Sequence, residues 1–305
     1  MTRRPPGGGG KSRGGGKSGA GKPRGPSKRR GPPGRRRPSK KRGPSGTRER
    51  GRKPEPGRGR GARKRPARRP PRPEVAIFAK APAPGRVKTR LTPALRPDEA
   101  ADLYRALLLD TMDVVESTGA RVTIAFTPAS ARRPLERLLG GRRRLMVQPP
   151  GDLGARIEGV LGQLRENGAR RALVVGSDCP GLTPDRIREA WKALETVPAV
   201  LGPALDGGFY LLGLARPEPG LLDGIPWSTD QVLACTRARL RERRLPVREL
   251  PAERDLDTPR DLLEWYVIAR SAGPEPVYPR TWRTLHSLMT PRRLAELEAR
   301  LAESH

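Results

Sequence analysis

An α/β domain with a mainly parallel sheet is predicted by three features of the sequence. Short apolar runs without polar alternation, such as Val75-Ala76-Ile77-Phe78-Ala79 and Ala172-Leu173-Val174-Val175, read as strands buried on both faces. Segments of helical period lie between these runs. The loops that follow strands gather glycines, prolines and charges, and in such sheets ligands bind outside the carboxyl ends of the strands.

The elements follow in order. After the first strand comes a loop rich in proline, glycine and cations, Lys80 to Leu91. Pro97 opens a helix whose apolar positions Ala100, Leu103, Leu107, Leu108 and Val115 recur at helical spacing, and Gly119 ends it. Val122–Phe126 is the second strand, 130–139 a short helix, and Leu145–Val147 a brief third strand. Gly154 to Asn167 is a helix, and Ala172–Val175 the fourth strand. Pro184–Leu194 is helical, Val200–Pro203 and Phe209–Leu212 are strands, and a helix covers 229–243. A helix then starts at Pro259 and runs through Trp265. Pro274, Pro276 and Pro279 form a linker, and Thr290-Pro291 caps a last helix carrying Leu294, Leu297 and Leu301 on one face. That helix docks either on the domain or on a partner.

Charge divides the chain. Of 305 residues, 63 are Lys or Arg and 32 Asp or Glu, a net +31. Residues 1–73 hold 28 of the basic residues, 18 glycines and 14 prolines, and no Leu, Ile, Val, Phe, Tyr or Trp. Such a segment has nothing to bury against the entropy of ordering, so a disordered tail is expected. Its charge would attract nucleic acid or other polyanions without sequence preference, and it lacks aromatic residues for stacking on bases. The expected organisation is therefore a tail over 1–73, a folded domain over 74–268, and a linker with an amphipathic helix over 269–305.

Composition also excludes classes of chemistry. No apolar run is long enough for a membrane span, and no apolar core follows the leading charges as in a secretory signal, so a cytoplasmic protein is expected. Cys179 and Cys235 are too few for a disulfide framework, and His286 and His305 are the only histidines. A multi-histidine centre is thereby nearly excluded. A metal site must be built from carboxylates, which favours Mg²⁺ or Mn²⁺.

Six segments carry candidate chemistry. The loop after the first strand places Lys80, Arg86, Lys88 and Arg90 with Gly85, as a bound polyphosphate requires; the alternative is a solvated basic turn. Its order matches neither a Walker A loop nor GxGxxG. Gly176-Ser177-Asp178-Cys179-Pro180 sets an aspartate at the end of a central strand, suited to a metal bridging phosphate oxygens or to capping the next helix. Cys179 reads as a small buried residue rather than a nucleophile. Asp206-Gly207-Gly208 is either a substrate loop or a tight turn. Asp255 and Asp257 either complete a metal site with Asp178 or cap the helix at Pro259. Asp152, in the loop Gln148 to Arg156, either meets substrate or caps its helix, and Trp227 before Ser228-Thr229 is either a lid or core.

Taken in order, these blocks resemble an uncharacterised family of bacterial transferases with a glycosyltransferase-A-like fold, known as radical-SAM/selenodomain-associated transferases. The resemblance spans residues 75–266. It implies a three-layer α/β/α nucleotide-diphospho-sugar transferase fold, related also to small guanylyltransferases. It places phosphate binding on Arg86, Lys88 and Arg90, and a divalent metal on Asp178 with Asp257 or Asp255. Lys88 and Asp178 become the catalytic pair, and Asp152, Asp206, Gly207, Gly208 and Trp227 the substrate side. The implied partners are a nucleotide sugar, or an NTP, and a small-molecule acceptor. Glycosyl transfer is the favoured reaction and nucleotidyl transfer the alternative. One departure stands out: Ala81-Pro82-Ala83-Pro84 stiffens a loop that is glycine-rich in the guanylyltransferases.

Overall fold

The computed structural model describes residues 72–141, 143–272 and 277–303. The expected disordered tail over 1–73, with its polyanion contact, lies almost wholly outside the described residues, as do Pro274 and Pro276 of the expected linker.

Among the described residues, seven strands form one sheet: β1 (Glu74–Lys80), β2 (Arg121–Thr127), β3 (Arg144–Val147), β4 (Ala172–Val175), β5 (Ala199–Pro203), β6 (Phe209–Leu214) and β7 (Val247–Glu249). Their order across the sheet is β3-β2-β1-β4-β6-β5-β7. Only β6 runs against the rest: it is antiparallel to both β4 and β5, whereas β1, β2, β3, β4, β5 and β7 share a direction. The mainly parallel sheet read from the apolar runs is the one observed.

The described residues also form eight helices: α1 (Pro97–Ser117), α2 (Arg132–Leu139), α3 (Leu153–Glu166), α4 (Pro184–Ala193), α5 (Val232–Glu242), α6 (Pro259–Ser271), α7 (Pro279–Leu288) and α8 (Pro291–Ala302). Alternation along each strand separates two cores. In β1, Val75, Ile77 and Ala79 join one core with residues of α1, α2, α4, α6, α7 and α8. Ala76 and Phe78 face the other, built with Ile157, Val160, Leu161 and Leu164 of α3 and Val232 and Leu240 of α5. Helix, sheet and helix make the three expected layers.

Three differences from the sequence reading have local causes. The helix expected over 229–243 starts only at Val232, because Ser228 adopts φ 67° and the Thr229 hydroxyl bonds back to the Pro226 carbonyl. Strand β7 is short and polar, so neither length nor alternation marks it; its parallel pairing with β5 creates it. Pro279, read as linker, is instead the first residue of α7, where its missing N–H is harmless.

Helix α7 packs on α1. The Asp110 side chain of α1 is fully buried, and its Oδ2 accepts from the Thr281 backbone N–H at 2.7 Å and the Thr281 hydroxyl at 2.9 Å. Its Oδ1 accepts from the Arg280 guanidinium at 3.0 Å. An aspartate of one helix thus holds the orphan donors at the start of another. Tyr278, also buried, donates its hydroxyl to the Cys179 carbonyl at 3.0 Å.

Candidate active site

The strand order branches between β1 and β4, with β2 and β3 lying to one side and β6, β5 and β7 to the other. At such a switch point the loops leaving two neighbouring strands part and open a crevice. Here they are the 80–91 loop after β1 and the 176–183 loop after β4. The parallel strands β5 and β7 deliver Asp206, Asp255 and Asp257 to the same edge.

Lys88 is the centre of the arrangement. Its backbone is left-handed, φ 50° and ψ 38°, a conformation unfavourable for a residue with a side chain, by about 1–3 kcal/mol. Its side chain is only 4% exposed. The ammonium donates to Asp178 Oδ2 at 3.1 Å and to Asp257 Oδ1 at 3.4 Å. An ammonium has three donors, so a third remains for a ligand. Burial by itself lowers the Lys88 pKa, but the carboxylates of Asp178, Asp257 and Asp255 outweigh it and the net shift is upward. The side chain stays charged at neutral pH. Arg90, at the rim, donates to Asp257 Oδ2 at 3.1 Å.

The helix-capping alternatives are settled residue by residue. Thr183 caps α4 and Thr258 caps α6, so Asp178, Asp255 and Asp257 do not serve as those N-caps. Asp152 does cap: its Oδ1 accepts from the Ala155 N–H at 2.9 Å, and Leu153 and Arg156 line the cleft in its place. Asp206 is shared between turn and cleft: its Oδ1 accepts from the Gly208 N–H at 2.9 Å, and the residue also lines the cleft with Gly208. Gly207 is needed for packing. It has φ 87°, and a Cβ there would stand 2.2 Å from the Asp230 carbonyl oxygen.

Asp255 is anomalous among the carboxylates of the cleft. Its Oδ1 is buried and has no hydrogen-bond partner. Burial, and after it the charge of Asp178, pushes its carboxyl well above the usual range. No three His, Cys, Asp or Glu side chains among the described residues stand in a ready-made metal cluster. The donor chemistry nonetheless fits a hard divalent cation. Four carboxylates (Asp178, Asp206, Asp255, Asp257) meet two cations (Lys88, Arg90), the donors are all oxygen, and one buried oxygen lacks a partner.

The cleft runs along the sheet edge in three connected parts. Beside β1 and β2 lies a hollow of about 600 Å³ lined by Lys80, Arg86, Thr127 and Pro128. Lys80 and Thr127 also line the middle part, about 440 Å³, with Lys88, Arg156 and Asp178. The third part, about 550 Å³, shares Asp178 and Asp257 with the middle and continues past Asp206, Asp255, Phe209 and Trp227. Trp227 meets Phe209 edge-on, with ring centroids 6.2 Å apart. Gly85 is an exposed turn residue with φ 69° and lines none of these parts.

Sequence reasoning missed three residues of the edge. Tyr104 of α1 accepts from the Lys80 N–H at 2.9 Å, and its hydroxyl pairs with Ser177 at 2.9 Å, so it ties the two loops together. Asp230 lines the third part. Glu158 of α3 accepts from the N–H groups of Gly220 and Leu222, both at 2.7 Å, which anchors the segment leading to Trp227. Tyr104 sits one position from Leu103 within an apolar helix, so only its hydroxyl could have marked it. Cys179 is buried, and burial pushes its thiol well up, in keeping with a packing role.

Residues 109–229 match a family described as uncharacterized proteins conserved in bacteria (DUF2064). No curated protein matches the chain. Among solved structures, a candidate nucleotide-diphospho-sugar transferase from Desulfovibrio desulfuricans G20 superposes with a TM-score of 0.67 at 30% identity, over 73% of this chain and 96% of that one. A nucleotidyl transferase from Methanothermobacter thermautotroptrophicus has a TM-score of 0.45 at 17% identity, over 65% and 98%. A cytidylyltransferase from Leptospira borgpetersenii has a TM-score of 0.45 at 13% identity, over 72% and 95%. With 30% identity across nearly the whole of the Desulfovibrio desulfuricans protein, this chain belongs to the same family.

Proposed function

We propose that the chain is a transferase that uses a nucleotide-activated donor with a divalent metal, and that the group transferred is a sugar. The observation that carries this reading is Lys88, buried in a left-handed backbone between Asp178 and Asp257 at the switch point of the sheet. The name of the 30%-identical relative supports the same class.

Asp178, Asp255 and Asp257 would hold the metal, which when bound neutralises charge on the donor's phosphate oxygens. Lys80, Arg86 and Lys88 bind and orient those phosphates. Lys88, held charged by its carboxylate neighbours, donates to the oxygen on which charge grows as the bond breaks. In the transfer, the acceptor oxygen bonds to the anomeric carbon, and the bond from that carbon to the phosphate oxygen breaks. The electron pair leaves on the nucleoside diphosphate, and the acceptor proton passes to an aspartate of the cleft.

A thermal-shift screen of the full chain tests this, using NTPs and nucleotide sugars with and without Mg²⁺ or Mn²⁺. A ligand at 100 times its Kd stabilises the fold by about 2.7 kcal/mol, an easily measured effect. The expected result is a metal-dependent shift with a nucleotide sugar, lost in Asp178→Ala, and release of a nucleoside diphosphate on turnover. Pyrophosphate release from an NTP would replace glycosyl by nucleotidyl transfer. No shift with any of these ligands would overturn the nucleotide-site reading.

A further inference from the structure

The three parts of the cleft differ in charge, and the difference is ordered. The hollow beside β1 and β2 has two cations, Lys80 and Arg86, and no carboxylate. The middle has Lys80, Lys88 and Arg156 against Asp178 and Asp257. The third part has five carboxylates, Asp178, Asp206, Asp230, Asp255 and Asp257, against Arg90 alone. That single guanidinium is engaged by Asp257 at 3.1 Å. Lys88, at the boundary, is engaged by Asp178 and Asp257.

The third part is more than an acidic surface patch. It is a hollow of about 550 Å³, walled on one side by Phe209 and Trp227, and it is lined by Asp255, whose buried Oδ1 has no partner. Ionised carboxylates, such as the exposed Asp206 and Asp230, accept hydrogen bonds and donate none, so their natural ligands are hydroxyl and ammonium groups. Aromatic walls suit the apolar C–H faces of a sugar ring or a cationic head. An anionic group placed there would meet several like charges at short range. A divalent cation at Asp178 would be engaged by the donor's phosphates and leaves Asp206 and Asp230 unneutralised.

We infer that the moiety entering the Asp206–Asp230 end of the cleft is a neutral polyol or an amino sugar, and that a moiety bearing its own carboxylate or phosphate is rejected there. This rests on the transferase reading above and narrows it. A phosphorylated acceptor, one kind that nucleotidyl transfer could use, has no uncommitted cation to receive it at this end among the described residues. The free phosphates of the donor are confined to the cationic end, so the cleft is polarised from nucleotide to sugar.

The test is a set of binding titrations on the full chain with Mn²⁺. First come bare nucleoside diphosphates of each base. Then, for the bases that bind, come the hexose, the 2-amino-2-deoxyhexose and the hexuronate conjugates. The hexose and aminohexose conjugates are expected to bind at least as tightly as the bare diphosphate. The hexuronate is expected to bind at least tenfold more weakly than the hexose, about 1.4 kcal/mol. In the double variant Asp206→Asn, Asp230→Asn, whose two side chains are exposed, the gap should close to less than threefold. A bare diphosphate that binds, with hexuronate held as tightly as hexose, overturns this inference and leaves the transferase reading standing. A gap that persists unchanged in the double variant also overturns it. Absence of binding by every diphosphate and every conjugate overturns both.

Discussion

Two aspartates, the buried Asp110 and the half-buried Asp255, mark opposite uses of the same side chain. Asp110, between α1 and α7, has both oxygens occupied by Arg280 and Thr281. Asp255, in the cleft, has a buried oxygen with nothing to accept from, and Asp178 and Asp206 raise its pKa further. Burying a charge is unfavourable unless its hydrogen bonds are restored. At Asp110 the fold restores them and gains a docked helix. At Asp255 it does not, and strain of this kind persists where a ligand completes the set.

The first consequence is the largest. Asp110→Ala leaves the Thr281 N–H and hydroxyl without their acceptor, while the Arg280 guanidinium keeps its pairing with Asp113, and should lower stability by about 3 kcal/mol in urea denaturation. A loss below 1 kcal/mol would mean that α7 is held mainly by its apolar contacts. Asp255→Asn should behave in the opposite way. Without ligands the variant should be at least as stable as the natural protein, because the amide is spared the desolvation and like-charge repulsion that push the Asp255 carboxyl upward. With Mn²⁺ and a bound nucleotide sugar it should lose most of the roughly 2.7 kcal/mol that a ligand at 100 times its Kd confers. A variant destabilised without ligands would place Asp255 with Asp110, as a structural group.

The contrast also separates what the sequence makes legible from what it does not. The strands β1 and β4 are readable because they are apolar without alternation, and both loops that form the site follow them. The order of strands is not written in any local pattern, so the meeting of Lys88 with Asp178 and Asp257 appears only once β1 and β4 lie side by side. The left-handed backbone of Lys88 has no sequence signal, since lysine carries no preference for it. Asp110 is hidden for a related reason: an acid among apolar helix positions reads as exposed until another helix supplies its donors. Asp152 shows the reverse, a candidate whose oxygen the fold uses for a cap. Thr183 and Thr258, by taking the caps of α4 and α6, leave the aspartates around them available to the cleft.

Smaller effects sharpen the comparison at the cleft wall. Gly154 opens α3 against the segment that carries Trp227: an added Cβ would stand 2.8 Å from the Leu222 carbonyl and 2.9 Å from the Trp227 ring. Gly154→Ala should therefore cost about 1–3 kcal/mol by overpacking and push Trp227 from its place beside Phe209. Because Trp227 lines the acidic end and not the phosphate end, the variant should weaken sugar conjugates more than bare nucleoside diphosphates. Equal weakening of both would show that the wall serves the whole cleft.

The smallest effect links the two regions. The Tyr278 hydroxyl reaches from the start of α7 to the Cys179 carbonyl at 3.0 Å, while the neighbouring Asp178 carbonyl accepts from the Leu256 N–H at 2.8 Å. The loop bearing Asp178 is thus braced from the α7 side and from the loop between β7 and α6 that bears Asp255 and Asp257. Tyr278→Phe removes the bond to the Cys179 carbonyl and the longer contact with the Thr111 hydroxyl at 3.4 Å, and keeps the buried ring, so stability should fall by about 1 kcal/mol. If that brace only holds α7, metal-dependent nucleotide affinity will be unchanged once the lower melting temperature is allowed for. If it also sets the Asp178 carboxylate, the affinity for Mn²⁺ with nucleotide should drop while affinity for nucleotide alone stays the same. The second outcome is expected, because the bonded carbonyl belongs to the residue next to Asp178 and a shift there is carried directly to its side chain.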